Sequence, residues 1–226
     1  MQTFILHLET ATKVCSVALS KNGKLIAQKE SQEDGYAHGE NLNLFIEDVL
    51  AQAGITTKEL SAVSLASGPG SYTGLRIGAA TAKGLCYALE IPLIAIDALT
   101  SLSVLARAKH PDQNLCAVID ARRMEVYNLI VDGSDVPLKE ISADIIEYDS
   151  YTEYEPFICF GDGAEKLMDL WQDKNCSFDI SIKSSAKGQV DLAFEKFKRA
   201  EFEDVAYWEP FYLKDFIAGK KSTSVK

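Results

Sequence analysis

Hydrophobic and polar positions at the start of the chain follow the pattern of a small β-meander. Residues 4–8 are almost continuously apolar, as in a strand that is buried on both faces. Residues 14–20 and 24–30 flank the pair Asn22-Gly23, and Asn-Gly supplies the positive φ that a tight hairpin turn requires. We therefore predict three strands, of which the second and third are antiparallel.

Helical and extended segments then alternate. One helix is indicated by apolar residues at the i, i+3, i+4 and i+7 spacing, closed by a glycine at its C-terminal end: Leu42, Phe45, Ile46, Val49, Leu50, Ala53 and Gly54. The rest of this half is predicted to form a strand, a helix, a strand and a helix, at residues 62–66, 73–89, 93–97 and 99–108. The order of the first half is therefore βββαβαβα.

The second half repeats this order in a weaker form. Its predicted strands are residues 115–120, 125–131 and 157–160, and its predicted helices are residues 164–171 and 190–199. The stretch from residue 132 to about residue 155 is interpreted as a polar, acidic connection. Two copies of a βββαβα unit describe an α/β protein with a duplicated RNase-H-like fold, as in the actin-like ATPases (ASKHA), with a reduced second half.

This interpretation divides the chain into two subdomains. The first comprises residues 1–109 and is completed by a C-terminal segment at about residues 205–219. The second, reduced subdomain comprises residues 110–204. Residues 220–226 are small and polar and are predicted to be a flexible tail.

Composition narrows the class of protein. Hydrophobic residues make up 47% of the chain and charged residues 25%, as in a chain that buries a core. The longest apolar run, residues 91–99, is far short of the ~20 residues of a membrane span, and no basic segment precedes the first apolar stretch as in a signal peptide. Five cysteines at irregular spacing favour buried, reduced thiols over disulfides or zinc. We expect a cytoplasmic protein without a membrane association.

The net charge of −10 limits the kinds of partner that the chain can bind by itself. A chain this acidic repels phosphate backbones overall, so it is a poor nucleic-acid binder on its own. It can serve an RNA pathway if a partner holds the RNA.

The strongest local motif is the glycine-rich stretch from Gly68 to Gly78, which lies between a predicted strand and a predicted helix. Backbone N–H groups in such a loop can converge on an anion, so Gly68, Gly70 and Ser71 are candidate phosphate contacts. The glycine spacing matches neither the dinucleotide-binding fingerprint nor the P-loop. A tight turn with close helix packing explains the same glycines equally well.

Two hairpin turns occupy equivalent positions in the two halves. Glu9 and Thr10 lie at the first turn, and Asp120-Ala121-Arg122-Arg123 lies at the second. In the actin-like fold these turns face each other across a cleft, where an acidic residue can bind a metal-bound water and a hydroxyl can contact a phosphate. Glu9 and Thr10 are therefore candidate nucleotide contacts, and the capping of a turn is the alternative role.

The sequence assembles no catalytic centre. His7, His38 and His110 are scattered, and none has a histidine at i+3 or i+4 that would complete a metal pair. His7 alternates with apolar residues and is predicted to be a core histidine, whereas His38 is expected in an exposed turn or cap. No Ser–His–Asp or Cys–His arrangement can be argued from the spacing. We predict no catalytic and no metal-binding residue.

The predicted helix at residues 73–89 has little polar surface. Small residues surround much of it, at Gly78, Ala79, Ala80, Ala82 and Gly84. A helix of this kind is buried on more than one side, either within its own chain or against a second protein.

These motifs resemble those of the bacterial TsaB (YeaZ) family. The resemblance rests on the glycine-rich stretch and on three further stretches that agree in order and position, at residues 9–19, 120–127 and 209–213. It implies a non-catalytic accessory subunit that binds and supports the threonylcarbamoyltransferase TsaD, with the ATPase TsaE. That assembly forms N6-threonylcarbamoyladenosine next to the anticodon of tRNAs that read codons beginning with A.

The resemblance also implies a partner surface. In that family TsaD and TsaB pair through their first two helices, which correspond to residues 40–53 and 73–89 here. The contacts implied are Leu42, Phe45, Ile46, Val49, Arg76, Ala79, Ala80, Ala82 and Lys83. Without the partner, a homodimer through the same helices is expected. No intrinsic cofactor is expected, since ATP or ADP would bind only in the assembled complex, and tRNA would be reached only through that complex.

Two departures from the family pattern bear on activity. TsaD-type enzymes carry a His-x-x-x-His metal pair on the helix that corresponds to residues 98–105, which contain no histidine. Position 9 holds Glu where Asp is commoner, which weakens a metal role for Glu9. The alternative function, an independent actin-like nucleotide-binding enzyme such as a kinase or a carbamoyl transferase, rests on the glycine-rich stretch and Asp120.

Overall fold

In the computed structural model, which describes residues 2–31 and 38–214, the chain forms two five-stranded sheets. The first sheet has the order β3-β2-β1-β4-β5, from strands β1 (Phe4–Glu9), β2 (Cys15–Lys21), β3 (Lys24–Ser31), β4 (Ala62–Ala66) and β5 (Leu93–Ile96). The second has the order β8-β7-β6-β9-β10, from strands β6 (Leu115–Asp120), β7 (Glu125–Val131), β8 (Pro137–Ile145), β9 (Phe157–Phe160) and β10 (Cys176–Asp179). The α-helices are α1 (His38–Ala53), α2 (Tyr72–Leu89), α3 (Ala98–Arg107) and α4 (Val190–Lys198).

The two sheets have the same topology. In the first, β1 pairs with β2 and β2 with β3 in antiparallel fashion, whereas β1–β4 and β4–β5 are parallel. The second repeats this with β6–β7 and β7–β8 antiparallel and β6–β9 and β9–β10 parallel. The predicted duplicated α/β fold is confirmed.

The reduced half differs from the prediction in three places. The polar stretch after residue 131 is not only a connection, because it contains β8, an edge strand without a buried position. The predicted helix at residues 164–171 is only a 3₁₀ turn, Glu165–Leu167, followed by further turns. Its helix-like spacing arises because Ala164, Leu167 and Trp171 all reach the same core cluster. The second edge strand, β10, was not predicted, since its four residues include a Ser and an Asp.

Two helices pack on the sheet formed by the other half of the sequence. The helices α1 and α2 cover one face of the first sheet, and α4, which lies near the end of the chain, covers its other face. The helix α3 precedes β6 in sequence, and it packs on the second sheet. Each sheet is therefore completed by a helix from the other half of the sequence.

The C-terminal segment ties these parts together. Glu203 forms an isolated antiparallel bridge with Leu93 at the free edge of β5. Further along, the Phe211 N–H donates to the carbonyl of Ser67, 2.7 Å away, and the ammonium group of Lys214 pairs with the carboxylate of Glu125. The predicted tail at residues 220–226 lies outside the described residues, as does the side chain of His38.

None of the helices in residues 2–31 and 38–214 combines the length and the apolar character that crossing a membrane requires.

Candidate functional site

The glycine-rich loop between β4 and α2 packs closely against the rest of the chain. A Cβ added to Gly68 would lie 2.6 Å from the carbonyl oxygen of Phe211, and one added to Gly70 would lie 2.2 Å from that of Ala11. The Ser71 N–H donates to the same Ala11 carbonyl at 2.6 Å. The glycines at 68 and 70 are therefore required by backbone contacts, and a role for Gly68, Gly70 and Ser71 in anion binding stays a prediction.

Ser71 and Thr10 connect this loop to the first hairpin turn. The Ser71 hydroxyl caps α2 by accepting from the Gly74 N–H at 3.3 Å. Thr10 is buried, and a Cβ on Gly78 would come within 2.4 Å of its hydroxyl oxygen. The small residue at position 78 thus lets α2 approach the turn that follows β1.

Glu9, the other predicted contact at this turn, is a fully buried carboxylate. Its Oε1 accepts from the Ala11 N–H at 2.8 Å, and its Oε2 has no hydrogen-bond partner among the described residues. Burial raises the pKa of Glu9 from its ordinary value of 4.5 to about 7, the Ala11 hydrogen bond opposes this shift, and Asp162 and Asp97 reinforce it. Burial therefore favours the protonated form of Glu9 at pH values where an exposed glutamate is ionised.

Two further carboxylates at this junction were missed by the sequence analysis. Asp97 caps α3 by accepting from the Thr100 N–H at 2.7 Å, and Asp162 accepts from the Asp120 N–H at 3.1 Å. Burial raises the pKa of both carboxyl groups. Their position directly after β5 and near the end of β9 was the available signal, because parallel strands end at one edge of a sheet. Nevertheless, within residues 2–31 and 38–214, no group of three or more His, Cys, Asp or Glu side chains could hold a metal ion.

A buried polar network crosses the first sheet beside Glu9. The Nδ1 of His7 lies 2.8 Å from the Ser64 hydroxyl, and Nε2 lies 2.8 Å from that of Ser20. Ser64 donates to the side-chain oxygen of Gln189 at 2.7 Å, so Nδ1 must carry the proton and Nε2 must accept. Burial lowers the pKa of His7 to about 3, which keeps the ring neutral. The prediction of a core histidine is confirmed.

The nine residues expected at the partner surface fall into two groups. Six are buried in the chain's own core between the first sheet and its two helices: Leu42, Phe45, Ile46, Val49, Ala79 and Ala82. Arg76 and Ala80 are exposed, and Lys83 is half-buried because its ammonium group donates to the carbonyls of Ala206 and Trp208. The partner surface implied by the resemblance therefore includes six residues that the chain's own sheet and helices cover.

The exposed face of α2 is nevertheless almost uncharged. We define the α2 stripe as its exposed residues, which follow helical spacing: Thr73, Arg76, Ala80, Gly84, Tyr87 and Ala88. The Tyr87 side chain is 83% exposed, and Leu44 on the neighbouring α1 is 56% exposed. A Cβ added to Gly84 would meet no atom within 4 Å. The chain itself therefore does not require a glycine at this position.

The duplicated sheets, with a strand-to-helix glycine loop and a hairpin turn at their junction, define a protein with the duplicated actin-like (ASKHA) fold. Residues 29–210 match the family TsaD, described as tRNA N6-adenosine threonylcarbamoyltransferase. The chain is 34% identical to the TsaB protein of Haemophilus influenzae over 96% of both chains. It is 28% identical to that of Escherichia coli K12, over 96% of this chain and 97% of the other. The chain belongs to the TsaB (YeaZ) family.

Solved structures agree with this assignment. YeaZ from Pseudomonas aeruginosa superposes with a TM-score of 0.78 and 26% identity, and the match covers 93% of this chain and all of that one. A second structure from the same organism is described as similar to the peptidase YeaZ. It superposes with a TM-score of 0.80 and 25% identity, and the match covers 94% of this chain and all of that one. The resemblance and the fold predicted from the sequence are both confirmed.

Proposed function

We propose that this chain is a non-catalytic accessory subunit in tRNA threonylcarbamoyladenosine biosynthesis. It binds a TsaD-type threonylcarbamoyltransferase and, with a TsaE-type ATPase, supports the modification of the adenosine next to the anticodon. The names of its relatives support this pathway, and the match to the TsaD family supports a partner of the TsaD type.

The observation that carries the proposal is the α2 stripe. It is long, exposed and nearly free of charge on a chain whose net charge is −10. Glycine in the middle of a helix costs about 1 kcal/mol relative to alanine, and at Gly84 no contact within the chain repays this cost. Small residues allow a second helix to approach closely, so a helix of a partner protein explains the stripe.

The geometry of the glycine loop supports a role without an intrinsic cofactor. Gly68 faces Phe211 and Gly70 faces Ala11, so the chain's own backbone occupies the space beside both. In our proposal ATP or ADP binds only in the assembled complex, and the isolated chain forms a homodimer through the α2 stripe.

The substitution Gly84→Ala tests this surface. At a protein concentration low enough for the chain to be monomeric, we expect the variant to melt about 2–4 °C higher, because the helix gains about 1 kcal/mol and the added methyl group has open space. We also expect its affinity for the TsaD-type protein to fall at least tenfold, since the methyl group separates the two helices. Differential scanning calorimetry and analytical ultracentrifugation measure the two effects.

The control is Glu195→Ala, an exposed change on α4 at the opposite face of the first sheet. It should leave partner affinity unchanged. If Gly84→Ala gains stability and binds the partner as tightly as the parent chain, the α2 stripe is not the interface.

A further inference from the structure

The turn between β6 and β7 presents two adjacent arginines. Arg122 and Arg123 are both exposed. Neither guanidinium group forms an ion pair within residues 2–31 and 38–214, although acidic residues outnumber basic ones by ten in the whole chain. The turn lies at the junction of the two halves, beyond the end of β6.

The carboxylates that flank the arginines are already neutralised. Asp120, two residues before Arg122, pairs with Lys166, which also donates to the carbonyl of Glu125 at 2.6 Å. Glu125, two residues after Arg123, pairs with Lys214 of the C-terminal segment. Because each flanking acid has its own lysine from a distant part of the sequence, the charges of the two arginines are unopposed.

Further lysines lie near this turn. Asp162 accepts from the Asp120 N–H, and the charges of Lys183 and Lys13 act on Asp162. Lys13 is exposed in the hairpin turn of the first half. Together these segments bring six cations and five carboxylates to this junction: Lys13, Arg122, Arg123, Lys166, Lys183 and Lys214, with Asp120, Glu125, Asp162, Glu9 and Asp97. The turn therefore lies in a region that is less acidic than the chain as a whole.

The backbone of the turn does not explain the choice of arginine. Arg122 and Arg123 have φ values of 71° and 50°, in the left-handed region that costs residues other than Gly and Asn about 1–2 kcal/mol each. The hairpin between β2 and β3 uses Asn22 and Gly23 for similar values of 50° and 74°. Since the preferred residues would suit the backbone better, the arginine side chains serve another purpose.

We propose that Arg122 and Arg123 bind the phosphate backbone of the tRNA directly when the chain is part of its assembly. The inference rests on the proposed function. A guanidinium group matches two phosphate oxygens in a bidentate pair, and two neighbouring arginines can span adjacent phosphates. The partner then holds most of the RNA, which agrees with the acidic charge of this chain, and the turn adds one local contact.

The test uses the double variant Arg122→Gly and Arg123→Asn in the reconstituted assembly with the TsaD-type protein. Both new residues tolerate positive φ, so the variant should melt at the same temperature as the parent or higher. The affinity of the assembly for unmodified tRNA is measured between 50 and 200 mM salt. We expect about tenfold weaker binding at 100 mM, and a salt dependence of the logarithm of affinity that is lower by about one unit for each lost phosphate contact.

The matched control removes two charges elsewhere, by Lys24→Gln and Lys58→Gln, which are exposed and lie in the first half. It should leave the salt dependence unchanged. The proposal is overturned if the arginine variant assembles normally and binds tRNA with the parent's affinity and salt dependence. It is equally overturned if the variant loses the partner protein instead, because the turn is then a protein contact. Failure of the proposed function appears already in the parent chain, which would not join the assembly.

Discussion

Replacement of Ala82 by glutamate is expected to unfold the chain, whereas the same replacement at Ala80, on the same helix, is expected to leave it folded. Ala82 is fully buried in the cluster between the first sheet, α1 and α2. A carboxylate there has no cationic partner, and such a burial costs several kcal/mol out of a typical stability of about 5–15 kcal/mol. Ala80 is exposed in the α2 stripe, so its variant should lose only partner binding.

Circular dichroism and partner binding separate the two effects. We expect Ala82→Glu to show a lowered or absent melting transition, and Ala80→Glu to melt within a few degrees of the parent chain but to bind the TsaD-type protein at least tenfold less tightly. Lys58→Glu, an exposed charge change on the 3₁₀ turn Thr57–Glu59, is the control and should change neither. A folded Ala82→Glu variant would show that this face of α2 is not core.

The stability of the Glu9→Gln variant is expected to depend on pH differently from that of the parent chain. The pKa of Glu9 is raised to about 7 in the folded chain from 4.5. The folded state therefore holds a proton that the unfolded state has lost, and the parent loses stability as the pH rises from about 4.5 to about 7. Glutamine cannot ionise. Relative to the parent, the variant should gain about 3 kcal/mol across this window, at about 1.4 kcal/mol per pH unit.

The contribution of His7 to stability depends on pH in the opposite direction to that of Glu9. Its pKa is lowered to about 3 from 6.5. The stability that its neutral form contributes is present above pH 6.5 and is lost as the pH falls toward 3. In the parent chain the dependences of Glu9 and His7 oppose each other between pH 4.5 and 6.5. In Glu9→Gln the dependence of Glu9 is absent, so the stability of the variant should change more favourably with rising pH than that of the parent in this interval.

Urea unfolding at several pH values measures this difference. Parallel curves for the parent and Glu9→Gln would mean that the pKa of Glu9 is the same in the folded and the unfolded chain, which contradicts the effect of burial on this carboxylate. A variant of Asp179 is a suitable control. Hydrogen bonding from Ser181 and His110 lowers the pKa of that carboxyl group, so its contribution to stability changes at a lower pH than that of Glu9.

Most of the fold could be predicted because the first sheet is marked by strong local signals. The Asn22-Gly23 turn, the apolar spacing of α1 and the continuous apolar strands each predict one element, and their order predicts the duplication. In the second half the edge strands β8 and β10 bury few side chains, so they lack the alternation by which strands are recognised.

The candidate site could be predicted only in part. The glycine loop and Glu9 were found from their position between elements, but sequence periodicity reports only that a face is buried. It does not say what buries it. The resemblance implied a partner surface that includes Leu42 and Ala82, and these residues pack against the chain's own sheet. Asp97 is brought near Glu9 because the parallel strands β1 and β5 end at one edge of the first sheet, whereas Asp162 comes from the second half, and no local pattern encodes that contact between the halves.

The most direct test of the proposed role is tRNA threonylcarbamoylation in a reconstituted mixture. Threonylcarbamoyl-adenylate, tRNA, the TsaD-type transferase and the TsaE-type ATPase are supplied, and this chain is included, omitted or replaced by Ala80→Glu. We predict repeated turnover only with the parent chain, and no transfer by the chain alone. Transfer by the chain alone, or equal turnover with and without it, would contradict the role of an accessory subunit.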